Sequence, residues 1–215
     1  MSNPAPAFDT FAGTGRVLLA YKGLGKKNAT NPTQECTDGS GNACVFVAEA
    51  SHWTGPYEHS TADTEQPIIL GEDPTLWQDT RGNWHMVYEH YVSVEHGGTK
   101  HGGGSQSKST ANAANWSAAG VAVRGSCGKS GTCKCGATAF SSTGIDGWVE
   151  TDPSAWYGTR LTLNGKQTVV VKRERPQVIL DAVSKHPIAI FNGVCTDGTA
   201  FVHGGCFNAA MAFNH

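Results

Sequence analysis

The chain has 215 residues, of which 39% are hydrophobic and only 16% charged, and its formal net charge is −2. That length allows one domain, or at most two, with a sizeable core. The near-neutral charge gives no footprint for nucleic acid: the one basic cluster, Lys172-Arg173-Glu174-Arg175, is interrupted by an acid. No run of about 18 apolar residues is present to span a membrane.

The chain opens on Asn3-Pro4-Ala5-Pro6-Ala7-Phe8-Asp9, followed by a turn-rich piece to Gly15 and a strong strand pattern over Arg16 to Gly23. A polar loop, Gly25 to Ala43, leads to a second strand, Cys44 to Ala50. Ser51-His52-Trp53-Thr54-Gly55-Pro56-Tyr57 reads as a turn, and Pro67 to Leu70 as a short strand. Then comes the stretch around which the rest is organised, Gly71 to His90. It predicts a β-hairpin with a carboxylate at its mouth. Leu76, Trp84, Met86 and Tyr88 suit a pleated, half-buried surface. Asp79-Thr80-Arg81-Gly82-Asn83 is turn chemistry, with Gly82 free to take positive φ. Pro74 is expected where a strand begins, the position at which its missing N–H costs least.

Val92 to Lys108 is rich in Gly and His and reads as a loop leading to a strand near Ser105-Gln106-Ser107. Gly120 to Arg124 predicts an outer strand. Ser126 to Gly147 reads as a Cys/Gly/Ser loop inside a stapled insertion over residues 126–159. Arg160 to Leu163 and Gln167 to Val171 flank Asn164-Gly165, the strongest short hairpin signal in the chain. Strands are expected again over Arg173 to Asp181 and Pro187 to Val194. With 27 glycines and no convincing amphipathic helical stripe, these short runs predict an all-β protein.

The seven cysteines form three local groups: Cys36 and Cys44; Cys127, Cys133 and Cys135; Cys195 and Cys206. Local disulfides tying loops are the plain reading. Zinc is the rival, but Cys133-Lys134-Cys135 lacks the partner pair that a zinc pattern has. Disulfides and the triplets Asn28-Ala29-Thr30 and Asn115-Trp116-Ser117 predict a secreted, disulfide-bonded glycoprotein, although the N-terminus carries no charged-then-apolar signal pattern.

Three places look alike. Each has a polar residue, a proline, a short apolar strand, an acidic turn and a second apolar strand: Asn3-Pro4 with Val17 to Tyr21, Asp73-Pro74 with Trp84 to Tyr88, and Arg175-Pro176 with Ile188 to Asn192. Irregular repeats of several short strands suggest the blades of a β-propeller. A generic β-sandwich whose strands share prolines by coincidence is the bland alternative.

At these residues the chain resembles the five-bladed β-propeller glycosidases of glycoside hydrolase family 43 and its relatives. The resemblance rests on Asn-Pro-x-Pro, on Glu-Asp-Pro-x-x-Trp-x-Asp with Gly-x-Trp-His, and on Arg-Glu-Arg-Pro with Phe-Asn-Gly-Val. It implies one propeller-like domain over residues 1–215, with blade-like units at about 1–70, 71–125 and 160–215. It implies hydrolysis of an extracellular polysaccharide or oligosaccharide, with inversion. Glu174 would be the general acid and Asp73 the aspartate that raises the acid's pKa through like-charge repulsion. Asn3, Trp77, His85 and Asn192 would line the substrate site. Trp77 and Trp53 could stack on a sugar or sit in the core, and core is the commoner role. No cofactor is implied and no catalytic metal, with a structural calcium the one ion expected. The family's general base belongs to an earlier blade, where this chain has Asn3. The expectation is therefore an incomplete array: a fragment, or one part of an assembly whose missing blades or partner subunit supply the rest. A non-catalytic glycan-binding or structural propeller is the competing reading. Arg173 and Arg175 are expected to point away from Glu174, and Glu72 away from Asp73, if their strands are regular.

Overall fold

The computed structural model describes residues 2–23, 43–59, 68–93, 132–150, 160–164, 166–169, 172–195 and 205–213. Among these residues there is no helix, and the strands are all antiparallel. The first unit pairs β1 (Ser2–Phe8), β2 (Val17–Gly23) and β3 (Cys44–Ala50), with the two-residue β4 (Glu58–His59) on the edge of β3. The second pairs β5 (Ile69–Gln78), β6 (Trp84–Ser93), β7 (Thr132–Ser141) and β8 (Val149–Glu150). A short ladder, Cys44 with Leu70 and Val45 with Ile69, joins the two units into one eight-stranded sheet. A separate hairpin is formed by β9 (Arg160–Leu163) and β10 (Lys166–Val169). The last sheet is β11 (Lys172–Leu180), β12 (Pro187–Cys195) and β13 (Cys206–Ala212). No sheet closes on itself among the described residues.

The three-fold likeness in the sequence is a likeness of backbone. In β1, β5 and β11 one extra residue interrupts the ladder at the same place: between Ser2 and Ala5, between Glu72 and Thr75, and between Glu174 and Gln177. The residue before proline takes a left-handed conformation each time, with φ of 52° at Asn3, 52° at Asp73 and 55° at Arg175. This is a β-bulge, which bends the strand and re-aims the side chains beside it. Pro74 therefore does not begin a strand as expected. It lies inside β5, and the short strand predicted before it is the first part of the same element. A bulge leaves a residue out of the ladder, so the missing proline N–H breaks no pairing there.

Each first strand also ends the same way, on an aspartate five residues after its proline: Pro4 to Asp9, Pro74 to Asp79, Pro176 to Asp181. These aspartates cap the hairpin turns. Asp79 Oδ1 accepts from the amides of Arg81 and Asn83, both at 2.9 Å. Asp181 Oδ1 accepts from Val183 and Ser184 at 3.0 and 2.7 Å, and Asp9 Oδ1 from Ala12 at 3.0 Å. Burial alone would raise the Asp79 pKa, but hydrogen bonds from His85, Asn83 and Arg81 outweigh it and hold the carboxyl well below its ordinary range. Asp9 and Asp181 are lowered too: at Asp9 bonds from Ala12, Gln78 and Arg16 outweigh burial, and at Asp181 the bonds from Ser184 come first.

The first unit, the second unit and the last sheet pack face to face in chain order. One face of β5–β6 carries Leu76, Trp84, Met86 and Tyr88 against Leu18, Ala20, Val45 and Val47 of the first unit. The other face carries Trp77 and Val87 against Ile190, with Val178, Leu180 and Met211 around them. The middle hairpin is thus buried on both sides rather than half-buried.

A segment read as a loop contains strands. Residues 126–159 hold β7 and β8, and β7 pairs with β6 along ten residue pairs, from Trp84–Ser141 to Ser93–Thr132. Its buried centre is Gly136-Ala137-Thr138-Ala139, small side chains that fit beneath Trp84 and Tyr88 but carry no β-branched run. The hairpin predicted around Asn164 forms, β9 and β10 pairing from Leu163–Lys166 to Arg160–Val169. Cys195 and Cys206 are cross-strand neighbours joined in a disulfide, and Cys44 is disulfide-bonded as well. Cys36, Cys127, both glycosylation triplets and the strands expected near Ser105 and Gly120 lie outside the described residues.

Candidate functional site

The three bulges meet. The Asn3 side-chain amide donates to Asp73 Oδ1, linking the first bulge to the second. The Arg175 amide donates to Glu89 Oε1 at 2.6 Å, and Thr75 Oγ1 donates to the Pro176 carbonyl at 2.6 Å, linking the second to the third. At their junction Glu72, Asp73 and Glu89 each present a carboxylate oxygen, and the three oxygens lie within 4.8 Å of one another. All three side chains are buried, Glu89 completely.

The bulge explains why these acids converge. Glu72 and Glu89 are directly opposite across the β5–β6 ladder, so they share a face. In a regular strand Asp73 would point to the opposite face. The extra residue breaks that alternation, so the expectation that Glu72 turns away from Asp73 does not hold. Like charges directly opposite are destabilising in a sheet. Here Lys22, at the matching position of the first unit, sets its ammonium 2.5 Å from Glu72 Oε2. The Arg175 N–H supplies a second positive dipole, at Glu89.

Asp73 and Asn3 lie in this junction and touch each other. Glu174 lies at the third bulge, half-exposed, in the residue before the amide that Glu89 holds. Its carboxylate is not part of the close trio. Asn192 is buried opposite that bulge. Its Oδ1 accepts from Arg173 Nε at 2.9 Å and its Nδ2 donates to the Glu174 carbonyl at 3.4 Å, so it braces the backbone. Arg173 is buried and Arg175 exposed.

Trp77 and His85 lie elsewhere. Trp77 is 5% exposed and belongs to the core between the second and third sheets. Its ring stacks on His85 at 5.2 Å. His85 Nε2 is 3.2 Å from Asp79 Oδ2, at the turn end of the hairpin. Four residues separate His85 from Glu89 along β6, about 13 Å at 3.3 Å per residue, so the turn end and the acidic junction are separate places. Trp53, by contrast, is 62% exposed in its turn.

Glu72 and Glu89 are the members that reading the sequence left out. The signal that could have found Glu89 is register: it faces the residue before the bulge, as Lys22 and Gly193 do in the sister units. Chemically, the junction offers carboxylates held by directed donors, an ammonium, and one half-exposed acid at its third corner. No helix among the described residues is long and apolar enough to cross a membrane. A scan against protein-family models finds no match for this chain, and a search of curated proteins finds none either.

Proposed function

We propose that this chain is part of a glycoside hydrolase-like β-propeller acting on an extracellular polysaccharide or oligosaccharide. Glu174 serves as general acid and Asp73 as the carboxylate that tunes it. The observation that carries this reading is the junction of three equivalent bulges, where the acids of the middle hairpin gather and beside which the third bulge carries Glu174. A glycosidic oxygen leaves only when protonated, so one carboxyl must stay protonated near neutral pH while its neighbours remain ionised. Glu174 is half-exposed at the third bulge, where its carboxyl can reach a substrate. Inversion needs a base about 6.5–9.5 Å from the acid, with water between them. The face-to-face stacking of sheets in chain order supports the propeller reading.

One observation favours a second reading, a non-catalytic glycan-binding or structural propeller. The first bulge carries Asn3, where the resemblance expects the base. Hydrolysis of a panel of aryl glycosides and plant or algal polysaccharides separates the two. The hydrolase reading expects turnover by the wild type and a loss of roughly 100- to 10,000-fold in Glu174→Gln. Glycan binding without turnover would establish the second reading.

A further inference from the structure

We infer that Glu89 is a positioning residue: through the Arg175 amide it fixes the backbone that carries Glu174. This role rests on the hydrolase reading above. The backbone from Glu174 to Pro176 is held at three successive points by three different side chains. Asn192 Nδ2 donates to the Glu174 carbonyl at 3.4 Å, Glu89 Oε1 accepts from the Arg175 N–H at 2.6 Å, and Thr75 Oγ1 donates to the Pro176 carbonyl at 2.6 Å. Two of the three come from the neighbouring sheet. Arg175 needs such a hold, because its φ of 55° is a conformation that a long side chain rarely adopts and that persists only when surroundings impose it. A bulge alone would leave the aim of Glu174 to local torsions. The clamp ties it to a carboxylate that is itself fully buried in the middle sheet. Glu89 accepts from the one residue of the three that takes the left-handed conformation, so its bond bears most directly on the path of the clamp.

The test compares the full-length wild type with Glu89→Gln, which keeps a side-chain carbonyl to accept the amide, and Glu89→Leu, which keeps the bulk without an acceptor. All are checked for folding by near-ultraviolet circular dichroism. Amide hydrogen exchange at Arg175 should speed up by roughly 10- to 100-fold in Glu89→Leu and change little in Glu89→Gln. Turnover of the best aryl glycoside should follow. In Glu89→Leu kcat falls by roughly 10- to 100-fold with KM nearly unchanged, and Glu89→Gln restores most of it. Equal Arg175 exchange in the wild type and Glu89→Leu would overturn the clamp. A Glu89→Gln kcat as low as that of Glu89→Leu would show that the charge matters and not the hold, and would overturn the positioning role. A wild type that turns over no substrate would remove the hydrolase reading and the positioning role with it, while amide exchange would still report separately whether the clamp exists.

Discussion

The hairpins β5–β6 and β11–β12 share a bulge, a left-handed residue before proline and an aspartate-capped turn, yet they live in different surroundings. The middle hairpin is covered on both faces, by the first unit over Trp84 and by the third sheet over Trp77. The third hairpin buries Ile190 and Val194 on one face and leaves Phe191 and Ile179 about 40% exposed on the other. Even equivalent backbone positions diverge: Gly71 in the middle hairpin corresponds to Arg173 in the third. Repetition therefore specifies the path of the chain, while burial decides what each copy can carry. The doubly covered copy can hold three carboxylates only because donors meet them, and the half-covered copy is where an acid can reach solvent.

The largest effect expected from this contrast is in the core. Trp84→Ala should cost roughly 3–5 kcal/mol in urea denaturation, whereas Phe191→Ala should cost less than about 1 kcal/mol. Comparable losses at the two positions would mean that both hairpins are equally covered, and the contrast would fail.

A smaller effect belongs to Gly71. A Cβ there would lie 2.3 Å from the Glu89 carbonyl oxygen and 2.7 Å from the Tyr88 ring, and the backbone atom cannot swing aside. Gly71→Ala should destabilise by roughly 1–3 kcal/mol, read by thermal unfolding. A neutral outcome would show that β6 can shift, and with it the acidic trio.

The smallest effect is the acid limb of stability. Asp79 is held below its ordinary value, so its contribution is fully present above about pH 3.9, the unfolded carboxylate value, and is lost as pH falls through the folded one. Asp79→Asn should flatten the acid denaturation profile below that pH. A steeper or unchanged profile would transfer the acid sensitivity to Asp9 or Asp181, the matching caps.

Much of the strand order is legible in the sequence. β2, β3, β6 and β12 announce themselves by runs of β-branched and aromatic residues, and the β9–β10 hairpin by Asn164-Gly165. β7 stays hidden because its partner β6 is bulky and demands small residues, so packing against a neighbour overrides intrinsic strand preference. The prolines drew attention to Asp73 and Glu174. The same prolines sit in bulges, and assuming regular alternation turned Glu72 the wrong way and gave Glu89 no role. Alternation is a property of an unbroken ladder, and these acids gather where the ladder breaks.

The double coverage of the middle hairpin has a consequence for folding. Its two faces belong to two different cores, so removing either neighbouring sheet strips one face of β5–β6 and leaves a large apolar surface in water. Neither neighbour can detach without making the other's partner unstable. The first unit, the second unit and the last sheet should behave as a single cooperative unit, melting in one transition rather than peeling away copy by copy as the modules of a linear repeat array can.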